Sequence, residues 1–396
     1  MKKSLLFVID SLECAGAEKS LVSLLTLLDY SKYEVDLLLF GYGGPLERLL
    51  PREVNLLGPS EYIKFSKMSL KESVVYSIKK NKIKLLLARL TFSKNIRKQK
   101  YNNPQIARIY WESTSSVIDE ANKKYDIAIS YAQGVPTFYV AEKVKAKKKF
   151  AWVNASYHLE DQEKQFQKKF YEKFDRIVAV SESAKEIFIK TFPYLYKKMN
   201  VIYDINNPKQ IYEMADMEVG FDDDYKGTRI LTIGRLDHQK GYDIAIEACR
   251  LLKDQGVDFR WYSLGKGPLE EEVRKKVKEY DLSGDFILLG VKENPYPYIK
   301  NSNIYVQTSR NEGFGLAIAE ARMLNIPVVS TKFDAVFSQM IHGKNGLVVE
   351  MEPHAVCEGI KKIIENNELK RSIVDYLRTE KKGNVEEIDK FYQLLA

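Results

Sequence analysis

Glu312-Gly313-Phe314-Gly315-Leu316-Ala317-Ile318-Ala319-Glu320 places two carboxylates on either side of a glycine turn and an apolar run. Gly313 and Gly315 allow backbone angles that other residues resist. Residues 315–324 read as a buried helix, with Leu316, Ala319 and Met323 at helical spacing. The start of such a helix points free N–H groups outward, which suits an anion such as a diphosphate. Eight residues of helix span roughly 12 Å, so Glu312 and Glu320 could hold opposite ends of one extended ligand. A turn and helix with two solvated glutamates is the plainer alternative.

Working outward, the second half alternates strand and helix. Strands are expected at 230–233, 259–264, 286–289, 305–307, 327–330 and 346–349. Helices are expected at 242–253, 269–280, 355–365, 369–377 and 385–395. The first half opens the same way. An apolar strand at 5–9 leads into a glycine loop, Ser11 to Glu18, and then an apolar helix from Leu21. Further strands are expected at 35–40, 126–130, 149–153 and 176–180, and Ser181 is placed to cap a helix at 184–190. Two successive α/β halves imply a ligand crevice. The boundary is expected at 206–227, which holds Asn206-Asn207-Pro208 and an acidic run from Glu218 to Asp224.

Two cations accompany the carboxylates. Gly234-Arg235-Leu236 ends one strand, and Lys240-Gly241 lies just beyond. A diphosphate needs fixed positive charge, which Arg supplies as a planar fork and Lys as a point charge. Gly265-Lys266-Gly267-Pro268 ends the next strand and lacks the third glycine of a dinucleotide fingerprint.

This combination resembles the retaining glycosyltransferases of family 4, whose signature is Glu, seven residues, Glu. The resemblance covers residues 228–350 and is thin in the first half, at Gly16-Ala17-Glu18 and around 150–190. It implies an α/β GT-B fold, two Rossmann-like doubly wound domains facing a central cleft. An acceptor-binding domain at 1–205 and a linker at 206–227 would precede a nucleotide-sugar donor domain at 228–375. A C-terminal helix at 376–396 would pack back toward the N-terminal domain.

By the same resemblance, Arg235 and Lys240 would neutralise the donor diphosphate and Glu312 would contact the transferred sugar. Glu320 would accept from ribose hydroxyls, and Phe314, Gly315 and Leu316 would present backbone beside Gly313. Val291 would lie at the nucleobase, and Gly16 would face the diphosphate. Asp334 matches a loop of the family but also fits a plain turn. The family often has two glycines where this chain has Ala15-Gly16. It commonly carries a histidine after the strand that here ends in Trp152-Val153. Either Asn154 takes that place or His158 reaches into the site.

The implied reaction is retaining transfer from a nucleoside-diphosphate sugar, a UDP-sugar above all, to a saccharide or lipid-diphosphate-linked acceptor in cell-surface polysaccharide or glycoconjugate synthesis. A non-catalytic partner subunit of an active enzyme and a nucleotide-sugar epimerase are the alternatives. No cofactor is expected, the nucleotide-sugar being a substrate. No metal is expected either: Asp222-Asp223-Asp224 falls in the linker and reads as solvated, and no Cys/His cluster has ligand spacing.

Composition bounds the rest. A chain of 396 residues with 45% hydrophobic residues is long enough for two cores. Cys14, Cys249 and Cys357 show no disulfide framework, as in a reducing compartment. The apolar run after Met1-Lys2-Lys3 stops at Asp10, short for an export signal, and no run approaches a membrane span. A cytoplasmic protein is expected, associated with the inner face of the cell membrane. Of the net charge of +8, residues 61–100 carry +10, twelve cations against Glu61 and Glu72. This segment reads as amphipathic helices, and its surplus suits acidic lipid or a diphosphate-linked acceptor. It contains no nucleic-acid module, and no nucleic-acid partner is expected. A solvated helical face is the alternative.

Overall fold

The computed structural model describes residues 2–13, 15–154 and 159–396, and the chain divides into two α/β units. The first strand, Ala17–Ile202 and Ile388–Ala396 form one; Tyr203–Glu387 forms the body of the other.

The first unit contains β1 (Lys3–Ile9), β2 (Tyr33–Leu39), β3 (Val54–Leu56), β4 (Lys124–Ser130), β5 (Lys145–Val153), β6 (Arg176–Ala179) and β7 (Met199–Val201), in the order β3-β2-β1-β4-β5-β6-β7. The second contains β8 (Thr228–Ile233), β9 (Phe259–Leu264), β10 (Phe286–Gly290), β11 (Ile304–Gln307), β12 (Val328–Thr331) and β13 (Gly346–Val349), in the order β10-β9-β8-β11-β12-β13. All pairings within both sheets are parallel. Parallel strands are covered on both faces, which is why they read as unbroken apolar runs. In each sheet the winding reverses between the first and fourth strands, at β1 and β4 and at β8 and β11. A doubly wound sheet opens its ligand crevice at the carboxyl ends of such a pair.

Several local expectations change. β3 has three residues, too few to show a period. β5 starts at Lys145, four residues ahead of the expected strand. Its lysine-rich first half lies outside the core, with Lys147 paired to Asp126 at 2.7 Å and Lys145 to Glu120 at 3.4 Å. Only Phe150–Val153 are buried there. The segment 206–227 is not a bare linker. It carries the helix Pro208–Ala215, which buries Ile211 and Ala215 in a cluster that also takes Phe221.

Asp223 is not a solvated linker acid. It pairs with Arg229 at 2.7 Å and Arg260 at 3.2 Å, and the Tyr262 hydroxyl donates to the same carboxylate. Burial pushes its pKa up, but hydrogen bonds from Tyr262 and Arg229 outweigh that and lower it to about 2.

Residues 376–396 are not one helix. The helix Asn367–Thr379 ends first, and the last helix is Glu387–Leu395. Between them Glu380 pairs with Arg322 at 2.7 Å, and Lys382 donates to Asn325 Oδ1 at 2.9 Å, both within the second unit. Further on, Phe391 packs against Phe7 and Trp152 of the first unit, with ring centroids 6.1 and 5.9 Å apart. Tyr392 stacks on Tyr33 at 6.0 Å.

Candidate functional site

The crevice between β8 and β11 collects three of the four charged candidates. Beyond β8 the chain runs through Gly234-Arg235-Leu236 into a short turn, His238–Lys240, capped by Asp237. Asp237 Oδ1 accepts from the Lys240 N–H at 3.2 Å, and Oδ2 accepts from Arg235 Nε at 2.7 Å. One carboxylate therefore holds the Arg235 guanidinium and the Lys240 main chain. Lys240 Nζ then meets Glu312 Oε1 at 2.5 Å.

Glu312 follows β11 and is held by its own loop. Gln307 Nε2 and Ser309 Oγ donate to the same Oε1, at 2.8 and 2.6 Å. Tyr305 donates to Gln307 Oε1 at 2.5 Å, completing a chain from the strand interior to the carboxylate. Among the described residues Gln307, Ser309 and Lys240 all use Oε1, which leaves Oε2 open for another donor. Lys240 and Glu312 side chains are 22% and 11% exposed, so their attraction is little weakened by solvent.

The two loops are laced together. Arg310 grips Asp243 with two bonds, at 2.9 and 2.7 Å, and Thr308 Oγ1 donates to Lys240 O at 2.9 Å. A Cβ at Gly241 would stand 2.1 Å from Thr308 O, and its φ is +63°. The Gly265-Lys266-Gly267 turn has the same logic. A Cβ at Gly265 would stand 2.0 Å from Gly234 O, and one at Gly267 2.3 Å from Leu236 O. These glycines let two loop backbones touch.

Glu320 lies apart from this chain of contacts. It is 1% exposed on the helix Leu316–Met323, and its Oε1 accepts from Tyr296 Oη at 3.0 Å. The buried Tyr305 senses both glutamates. Its phenol is pushed well above its ordinary pKa, first by burial, then by Glu312, with Glu320 adding to the same effect. The helix begins one residue later than expected because Gly315 is its cap, at φ +83°. Gln339 Nε2 donates to Gly315 O at 3.1 Å, and Phe314 lies on Tyr203 with ring centroids 5.8 Å apart. Gly313 is buried, and Val291 is 39% exposed just past Gly290 at the end of β10. Asp334 is exposed in a turn between β12 and β13.

Gly16 starts the helix Gly16–Leu27 after β1. Asn154 follows β5 and donates through Nδ2 to Tyr131 O at 2.6 Å; among the described residues its buried Oδ1 has no hydrogen-bond partner. Tyr131 stacks on Trp152 at 5.0 Å. His158 lies outside the described residues. Among the described residues no group of three or more His, Cys, Asp or Glu is placed to hold a metal.

Gln307, Ser309, Tyr305 and Tyr296 are participants that the sequence reading missed. The spacing Ser309-x-x-Glu312 was visible, but it resembles a helix capping box. Here no helix begins until Leu316.

Residues 221–380 match the family described as glycosyl transferases group 1. Over 215 residues the chain is 27% identical to the N-acetylgalactosamine-N,N'-diacetylbacillosaminyl-diphospho-undecaprenol 4-alpha-N-acetylgalactosaminyltransferase of Campylobacter jejuni, covering 54% of this chain and 57% of that one. Over 138 residues it is 33% identical to the putative colanic acid biosynthesis glycosyltransferase WcaL of Escherichia coli, covering 33% and 34%. The matches thus span about half or less of these relatives' lengths. Among solved structures, Anabaena Alr3699/HepE in complex with UDP-glucose superimposes with a TM-score of 0.69 at 16% identity, over 99% of this chain and 98% of that one. The fold is accordingly the GT-B type with two Rossmann-like units, and within the second unit residues 221–380 are similar to the group 1 glycosyl transferases.

Proposed function

We propose that the chain is a retaining glycosyltransferase using a nucleoside-diphosphate sugar, with UDP as the nucleotide. The observation that carries this reading is the Lys240–Glu312 pair at the β8/β11 switch point, with Arg235 oriented beside it by Asp237. The Arg235 side chain is 55% exposed and is held among the described residues through Nε, so its terminal nitrogens can turn to a phosphate. The Gly315-capped helix adds N–H donors nearby. Glu312 Oε2 can accept from a sugar hydroxyl while Oε1 stays anchored. UDP-glucose in the structural neighbour supports the choice of nucleotide.

In this reading the bond between the anomeric carbon and the diphosphate oxygen breaks, and its electron pair leaves with the nucleotide. Arg235 and Lys240 stabilise the charge that develops on that oxygen. The acceptor hydroxyl oxygen bonds the anomeric carbon on the same face, and its proton passes to the departing phosphate. The protein cations take the electrostatic part a divalent ion could play, so transfer without a metal is part of the proposal. A saccharide or lipid-diphosphate-linked acceptor is supported by the Campylobacter relative, whose name specifies a diphospho-undecaprenol acceptor.

Titration with UDP followed by melting temperature tests donor binding. A rise that Arg235→Ala abolishes is expected. Turnover of UDP-sugars unchanged in Arg235→Ala, Lys240→Ala and Glu320→Ala alike would overturn the assignment. A second reading, a non-catalytic partner subunit, is favoured by one observation: Asn154, bonded to Tyr131 O, stands where the resembling family commonly has a histidine. UDP binding without hydrolysis or transfer by the purified chain would select it.

A further inference from the structure

The helix Leu70–Lys79 is inside out. It buries Ser73 and Ser77, each 0% exposed, and turns Leu70, Val74, Val75 and Ile78 to solvent at 57%, 38%, 49% and 72%. At 100° per residue those four side chains occupy an arc of roughly 140°. Of the two buried serines, Ser73 is held by hydrogen bonds, whereas Ser77 Oγ has no partner among the described residues. Ser73 Oγ bonds its own helix at Ser69 O, 2.9 Å away, and accepts from Arg89 Nη1 of the next helix.

That next helix, Ile83–Ile96, repeats the pattern. It buries Leu85 and Ala88 and exposes Ile83, Leu87 and Leu90 at 54%, 57% and 44%. These three recur at positions i, i+4 and i+7, one stripe along the helix, and exposed Lys94 extends it. A soluble helix gains by the opposite arrangement, so two neighbouring helices that both display their apolar side mark a contact surface.

The charges around this surface identify what covers it. Lys71, Lys79, Lys80, Lys84 and Lys94 are exposed and make no ion pair among the described residues. Lysine stems can lie along an apolar layer while their ammonium groups reach phosphates above it. We propose that helices Leu70–Lys79 and Ile83–Ile96 form a docking surface for an anionic lipid bilayer, lying in its interface with the seven apolar side chains inserted. No helix of the described residues is long and apolar enough to cross a membrane, so contact through these helices is interfacial. A second copy of the chain fits less well, because it would bring two surfaces with a +10 surplus face to face. Nucleic acid offers nothing to seven aliphatic side chains. The inference does not depend on the transferase reading.

Flotation of the full chain with vesicles of pure phosphatidylcholine and of phosphatidylcholine with 30% phosphatidylglycerol (a chosen probe, on the order of the anionic content that attracts basic segments) tests it. The chain should float with the anionic vesicles and not the neutral ones. Ile78→Glu combined with Leu87→Glu should weaken binding at least tenfold. Lys79→Gln, Lys80→Gln and Lys84→Gln together should do the same, while the melting point by circular dichroism stays that of wild type. All five positions are exposed, so folding should survive. The inference fails if wild-type chain ignores anionic vesicles, or if the glutamate variants bind as well as wild type. It also fails if light scattering shows a dimer that Ile78→Glu/Leu87→Glu converts to monomer, or if RNA competes the chain off vesicles at moderate salt.

Discussion

The two units share a strand order but equip their switch points differently. In the second, the crevice between β8 and β11 is polar: Arg235, Asp237, Lys240, Glu312, Gln307 and Ser309 form one connected series of bonds. In the first, Ser11 after β1 donates to Glu18 at 2.8 Å, while the ends of β4 and of its neighbour β5 are aromatic. Tyr131 stacks on Trp152, Trp152 meets Phe391, and Asn154 supplies a single amide. One topology thus carries a series of bonded cations and carboxylates in one unit and a buried carboxylate beside an aromatic cluster in the other. The strand order fixes where a crevice opens, and the loops determine what it can hold.

The largest expected effect breaks the bonded series of the second unit. Lys240→Ala should lower transferase turnover by about 10²–10³-fold, as removal of one charge-stabilising donor does in other enzymes. Lys240→Met should also destabilise the fold by about 1–3 kcal/mol, since Glu312 loses a partner. Adding Glu312→Gln should recover most of that stability in urea titrations but none of the turnover. Recovered turnover would show the pair to be structural only.

Next in size is an effect confined to the aromatic side of the comparison. Phe391→Ala removes a fully buried ring and should destabilise by about 3–5 kcal/mol. UDP-induced stabilisation of the remaining folded fraction should persist. Its disappearance would couple the aromatic cluster to the nucleotide site. Gly265→Ala should follow, at about 3 kcal/mol, because its Cβ would overlap Gly234 O and its φ is +139°. If circular dichroism melting shows Gly265→Ala unchanged, the close approach of the two loops is not rigid.

The smallest effect concerns Asp223. Its pKa is lowered in the folded state from 3.8 to about 2, so its stabilisation is present above pH 4 and is lost as pH falls through about 2. Asp223→Asn should be about 1–2 kcal/mol less stable than wild type at pH 7, allowing for solvent screening. The gap should close between pH 4 and pH 2. A gap that stays constant over that range would remove the ion pairs as its source.

The sequence read well where structure is local. Nearly every strand of the two sheets is marked by an apolar run, because a strand buried on both faces leaves no room for polar residues. The exceptions follow from the same rule: β3 is too short, and the lysine half of β5 lies outside the core. At the site, Arg235, Lys240, Glu312 and Glu320 could be picked out by their place after strands. Their partners could not. Gln307 and Ser309 matter only because β11 brings them under Glu312, and Asp237 only because its turn bends between two cations. Ser73 and Ser77 are polar residues on the buried side of their helix, which its local period does not give.

By itself, then, the sequence determined which segments are strands and helices, where the glycine turns fall, and which charged residues follow them, since all of these depend on neighbours a few positions away. Only the tertiary structure decided that β8 lies beside β11, that Lys240 closes on Glu312 while Glu320 is buried under Tyr296, and that two basic helices present their apolar faces to solvent. Those outcomes depend on pairings between residues tens of positions apart, set by the packing of whole sheets and helices and not by any local period.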